Sequence, residues 1–138
     1  MTKPRYTILF VDDEPWNTQA LRLSLEARDY NCISCTNMSD AWEILQGSKV
    51  DVVVTDIMMP GGDTFPDVDS SAAGFYFVKL IREKLPRLPI ICLSVIGDPE
   101  KIQSLKKQNV LYLRKGETPL ENALKLIESK ATGRISFG

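Results

Sequence analysis

Five short β-rich runs, several of them apolar almost throughout, alternate along this chain with longer stretches of helical periodicity, and few folds can satisfy that order. Strands are expected at 6–11, 31–35, 51–56, 89–94 and 110–113. Val52-Val53-Val54 and Ile90-Ile91-Cys92-Leu93 have no polar residue at alternate positions, as strands covered by helices on both faces require. Between the runs, Pro15 suits the first position of a helix in which Leu21 and Leu25 share a face and Arg22 and Glu26 pair on the outside. A second helix is expected at 39–46, ending on Gly47 in a left-handed cap, and a third at 74–85, ended by Pro86. Asp98-Pro99-Glu100 and Thr118-Pro119-Leu120-Glu121 carry the capping acid or hydroxyl that opens a fourth and a fifth.

Five βα units joined by right-handed crossovers make a doubly wound α/β sandwich. The 138 residues are too few for an eight-unit barrel, which needs about 250. One domain is expected over 1–131, with 132–138 as a short tail and no DNA-binding output domain. No apolar run approaches the ~18 residues of a membrane span, and Met1-Thr2-Lys3-Pro4 has no apolar signal core, so a cytoplasmic protein with no membrane association is expected.

Composition narrows the chemistry. Seventeen basic and eighteen acidic residues leave a formal charge of −1 with no block of one sign, which argues against direct nucleic-acid binding. There is no histidine, so Ser-His and Cys-His catalysis and imidazole metal sites are excluded, and any metal must be held by oxygen. Cys32 and Cys35 form a CxxC, but within an apolar stretch and not at a helix start, which favours packing over redox chemistry. Trp16 and Trp42 are read as packing residues, with Trp16 near enough to the first acidic cluster to report metal binding.

Ligands of open parallel sheets bind at the carboxyl ends of the strands. There the sequence places Asp12, Asp13 and Glu14 after strand one, Asp56 at the end of strand three, Ser94 at the end of strand four and Lys115 just beyond strand five. Crowded carboxylates need a cation to stay ionised, and Mg²⁺ accepts an all-oxygen shell. A carboxylate becomes a nucleophile towards phosphorus when metal and ammonium neutralise the phosphoryl oxygens. Asp56 is the candidate nucleophile, Asp12 and Asp13 the metal ligands, and Ser94 and Lys115 the partners of phosphoryl oxygens. The plainer reading is that Asp13 or Glu14 caps helix one and Ser94 sits in a turn.

The run Ile8-Leu9-Phe10-Val11-Asp12-Asp13-Glu14, then Asp56-Ile57-Met58-Met59-Pro60-Gly61, Leu93-Ser94, and Tyr112 three places before Lys115, resembles the receiver domain of two-component response regulators, of the chemotaxis-regulator kind, from about Tyr6 to Lys130. The resemblance implies a flavodoxin-like five-stranded parallel sheet of order 2-1-3-4-5, phosphorylation of Asp56 by a histidine kinase or histidine phosphotransfer protein, and Mg²⁺ dependence. It also implies that Met58 lends the metal a backbone carbonyl and that Ser94 and Tyr112 form a switch pair. The output surface would be helix four, strand five and helix five, read by a downstream effector protein, with a homodimer as a further option. Tyr112 is equally readable as a core aromatic.

Three features depart from the family pattern. Gly116 follows Lys115 where the family usually has proline, Val95 follows Ser94 where it prefers a small residue, and 61–73 is longer than the usual link. That stretch, with Asp63, Asp67 and Asp69, is either a partner-contact loop or a tolerated insertion. The expected activity is that of a phosphoacceptor signalling module and not of a metabolic enzyme. The alternatives are a phosphorylation-independent interaction module and a Mg²⁺-dependent aspartyl phosphohydrolase, for which Met58 stands where a second acid is wanted.

Overall fold

In the computed structural model, which describes residues 5–58, 70–95 and 98–133, the five expected strands form as β1 (Thr7–Val11), β2 (Asn31–Cys35), β3 (Val52–Thr55), β4 (Ile90–Ser94) and β5 (Val110–Arg114). All neighbouring pairs are parallel, in the order β2-β1-β3-β4-β5. This is the doubly wound, flavodoxin-like sheet expected from the sequence. The helices are α1 (Gln19–Glu26), α2 (Met38–Gly47), α3 (Ser70–Lys84), α4 (Pro99–Lys107) and α5 (Leu120–Thr132).

Side chains of a strand point alternately to the two faces, so each central strand feeds two cores. Leu9, Val11, Val53, Ile90 and Cys92 pack with Met38 and Leu45 of α2, Phe77 and Ile81 of α3, and Leu105 of α4. Ile8, Phe10, Val52, Val54, Ile91 and Leu93 pack with Leu21 and Leu25 of α1 and with Leu124 and Ile127 of α5. β3 and β4 are buried throughout, which is why all but the last residue of each is apolar. The same alternation separates Cys32, which packs on the α1/α5 side, from Cys35, which packs on the other. All three cysteines are free, and burial pushes the Cys32 and Cys35 thiols up to about 11, so the packing reading of the CxxC stands.

Several element ends differ from expectation. Pro15 opens a separate 3-10 turn, Pro15–Thr18, and α1 begins only at Gln19. Arg22 makes no ion pair with Glu26; it donates to the Thr18 hydroxyl (3.2 Å) and the Pro15 carbonyl (2.8 Å), joining the bond that the hydroxyl itself donates to that carbonyl (3.2 Å). Trp16, on that turn, is 65% exposed and does not pack, whereas Trp42 does lie against the α2/α3/α4 core. α2 includes Gly47 and ends on Ser48, in extended conformation. Its start is marked by Asn37, whose side chain accepts from the Asp40 amide. Asp98 caps α4 as expected, accepting from the Glu100 amide at 2.9 Å. Thr118 does not cap α5; its hydroxyl donates to the Arg114 carbonyl instead. α3 begins four residues earlier than expected, so 70–73 are its first turn, and 61–69 lie outside the described residues.

Two contacts fix α3 against the site's framework. A Cβ on Gly74 would overlap the Ile57 carbonyl oxygen and come within 2.6 Å of Ile57 Cγ2, so only glycine lets α3 approach the segment that follows β3. At the other end, Arg82 donates to the carbonyls of Leu88 (2.6 Å), Gln108 (2.7 Å) and Asn109 (3.2 Å), tying α3 to the start of β4 and to the turn after α4.

Candidate functional site

The strand ends carry the site because the parallel ladder continues one residue past β1, β3 and β5. The Asp12 amide donates to the Cys35 carbonyl (3.0 Å), the Asp56 amide to the Val11 carbonyl (2.9 Å) and the Lys115 amide to the Ser94 carbonyl (2.8 Å). Backbones pinned this way bring the residues at the carboxyl ends of β1, β3, β4 and β5 to one edge of the sheet.

They do converge. Lys115 Nζ lies 2.7 Å from Asp56 Oδ2 and 2.8 Å from Asp12 Oδ2, bridging the two carboxylates. Ser94 Oγ donates to Asp56 Oδ1 at 2.8 Å, and the Met58 amide donates to the same oxygen at 2.9 Å. Asp12 Oδ1 accepts from the Glu14 amide at 2.9 Å. Asp12, Asp56 and Ser94 are buried, whereas Asp13 is exposed at the rim. Desolvation alone would lower the pKa of Lys115, but its hydrogen bonds to Asp12 and Asp56 and their negative charge outweigh that, and the ammonium is held above its ordinary value.

Asp12, Asp13 and Asp56 each offer a carboxylate oxygen, and these oxygens lie within 4.8 Å of one another. Three carboxylates and one ammonium carry a formal charge of −2, which a divalent cation would neutralise. The donors are hard oxygens with no nitrogen or sulfur among them, and the group opens to solvent through Asp13, so the set fits Mg²⁺ with part of its water shell retained.

Of the residues singled out in the sequence, Asp12, Asp13, Asp56, Ser94 and Lys115 are thus brought together. Met58 joins through its amide. Tyr112 is half-buried against the α2/α3/α4 core, and its hydroxyl lies 3.4 Å from the Ser94 carbonyl, a long contact. Gly116 adopts φ +80, so the turn after Lys115 uses glycine's access to the left-handed region, and the lysine reaches both carboxylates with no proline beside it. Val95 is largely exposed. Two supporting contributions are not visible in the sequence: the Met58 and Glu14 amides, which every residue type possesses, and Gly74, whose need for glycine appears only when α3 meets Ile57.

Residues 8–127 match the family model described as the response regulator receiver domain. The chain is 34% identical over 116 residues to "Response regulator GtcR" of Aneurinibacillus migulanus, an alignment covering 83% of this chain and 43% of that protein. The chain therefore spans less than half the length of this relative. Among solved structures it is similar to the chemotaxis protein CheY4 of Vibrio cholerae, with TM-score 0.72 and 25% identity, covering 91% of this chain and 98% of the other. A CheY-like receiver domain protein from Methanospirillum hungatei JF-1 shares the fold at TM-score 0.78 with 15% identity, covering 94% and 96%.

Proposed function

Because the chain belongs to the response regulator receiver family, we propose that it is a phosphoacceptor signalling module, phosphorylated on Asp56 in the presence of Mg²⁺ and read by a partner protein. One observation carries this reading: both oxygens of the Asp56 carboxylate are held by donors, Ser94 and Met58 on one and Lys115 on the other, beside the two acids that follow β1. Such a carboxylate is oriented and screened for attack on phosphorus.

The donor is a phosphohistidine of a histidine kinase or phosphotransfer protein. An Asp56 oxygen attacks the phosphorus, the new P–O bond forms as the P–N bond breaks, and the imidazole leaves with a proton from solvent. Asp12, Asp13, Asp56 and the Met58 carbonyl would hold Mg²⁺, which neutralises charge on the transferred group when bound. Lys115 passes from the Asp56 carboxylate to a phosphoryl oxygen, and the Ser94 hydroxyl to another. The transfer turns one carboxylate charge into up to about two on the phosphoryl group. Drawing Ser94 inwards frees its carbonyl's neighbour Tyr112 to turn, and the surface of α4, β5 and α5 changes for a downstream effector or a second copy of the chain.

The test is incubation with Mg²⁺ and acetyl phosphate, followed by intact mass. A gain of one phosphoryl group, absent in Asp56→Asn, is expected. Mg²⁺ binding with no gain and no response to beryllofluoride would overturn it in favour of a phosphorylation-independent interaction module. Turnover of many small phosphoesters would point instead to a phosphohydrolase. With Val95→Ala, faster phosphorylation is expected; unchanged rates would remove Val95 as a restriction on phosphoryl entry.

A further inference from the structure

At the opposite edge of the sheet, where the chain enters β3 and β4, lies a cavity of about 490 Å³ that the phosphorylation chemistry does not use. Its floor is apolar, formed by Leu45 at the end of α2 and by Leu85 and Leu88 between α3 and β4. Its rim carries three cations, Lys49, Lys84 and Arg87. None of the three forms an ion pair with a described residue. The acid in the lining, Asp51, is already engaged, accepting from the Thr7 amide at 2.7 Å. The C-terminal ends of α2 and α3 account for cations in this region, because cations suit that end of a helix dipole. They do not account for a concave apolar floor between them.

We propose that this groove docks an acidic segment of a partner protein that presents an apolar side chain flanked by carboxylates. The volume lies within the range of sites that bury a compact organic group, about 300–1,000 Å³. The rim charge selects an anionic neighbour for that group. A nucleic-acid backbone is the poorer fit, since it calls for a broad basic face and the chain carries a net charge of −1. An apolar anchor with charged flanks takes its affinity from the buried group and its selectivity from the rim.

The probe is the acetylated, amidated hexapeptide Asp-Glu-Leu-Phe-Glu-Asp, titrated into the ¹⁵N-labelled chain and followed by amide chemical shifts. Shifts confined to the amides around Lys49, Lys84 and Leu88 are expected, together with about tenfold weaker binding by the Lys49→Glu/Arg87→Glu double variant. Both substitutions are at exposed positions, so the fold is retained and the comparison is of binding alone. Equal binding by that variant, no shift at the groove, or equal shifts with the peptide in which Leu and Phe are replaced by Ser would overturn the proposal. So would a single-stranded oligonucleotide or anionic phospholipid vesicles shifting the same amides more strongly than the peptide. Asp56→Asn leaves the peptide shifts unchanged, so the outcome is separable from that of the phosphorylation test.

Discussion

Lys115 is the residue on which the site's electrostatics turn, because its ammonium is the one described cation touching both Asp12 and Asp56. Lys115→Met would leave the two carboxylates facing each other without it, and at least a tenfold loss of phosphoryl transfer from acetyl phosphate is expected, measured by intact mass over time. Mg²⁺ binding should be retained or tightened in the same variant, since one positive charge has gone; weaker Mg²⁺ binding would show that Lys115 also shapes the metal site. Gly74 acts by the absence of a side chain. Gly74→Ala drives a methyl group into the Ile57 carbonyl and should cost about 3 kcal/mol, read as a lower urea midpoint with an unchanged slope. Asp56 and Lys115 were readable from residue type and strand-end position. Gly74 was readable as the first residue of the third helix but not as a required glycine, because the clash that requires it involves a backbone atom seventeen positions earlier in the chain.

Among the elements, α4 is held at both ends by different means. Asp98 caps its first turn, and Arg82 of α3 gathers the carbonyls of Gln108 and Asn109 just past its last. Asp98→Ala should cost about 1 kcal/mol, the usual value of a lost N-cap. Arg82→Met should cost more, about 2–3 kcal/mol, since it leaves carbonyls of two loops without their donor. Hydrogen exchange separates the two: Asp98→Ala raises exchange in the first turn of α4, Arg82→Met in the turn at 108–109 and at the start of β4. If Arg82→Met changed neither stability nor exchange, α4 would be positioned by Leu105 packing alone. The Asp98 cap was legible because a cap and its partner amide are two residues apart. Thr118 carries the same local signal and failed, because the Arg114 carbonyl, brought close by the turn through Gly116, competes for its hydroxyl.

For the molecule as a whole, several of the described titrations weaken the fold together at alkaline pH. Cys32 and Cys35 ionise near 9.0 when exposed and only at about 11 in the fold, and Lys115 keeps its proton above its ordinary value. Each raised group contributes stability that is complete below its unfolded pKa and is lost as pH rises through the folded one. Stability should therefore be level up to about pH 8 and fall between pH 9 and 11, with a shallower fall in a Cys32→Ala/Cys35→Ala variant. Urea unfolding at pH 7, 9 and 10.5 checks this; a midpoint that rises with pH over that range would contradict the burial of these thiols in the native state.

What the sequence determined by itself was the number and type of the elements and the set of polar residues at their carboxyl ends. Both are carried by patterns within ten or so neighbouring positions, where periodicity and strand length are set by backbone geometry. The strand order entered through resemblance to a family and not through periodicity. What only the tertiary structure decided were contacts between segments far apart in the chain: Lys115 bridging Asp12 and Asp56, Arg82 serving α4, Trp16 left in solvent, and the basic-rimmed groove between 45–51 and 84–89. A local pattern states which face of an element is apolar. The neighbour that covers that face is chosen by the packing of the whole chain, and so is the edge where its charges meet.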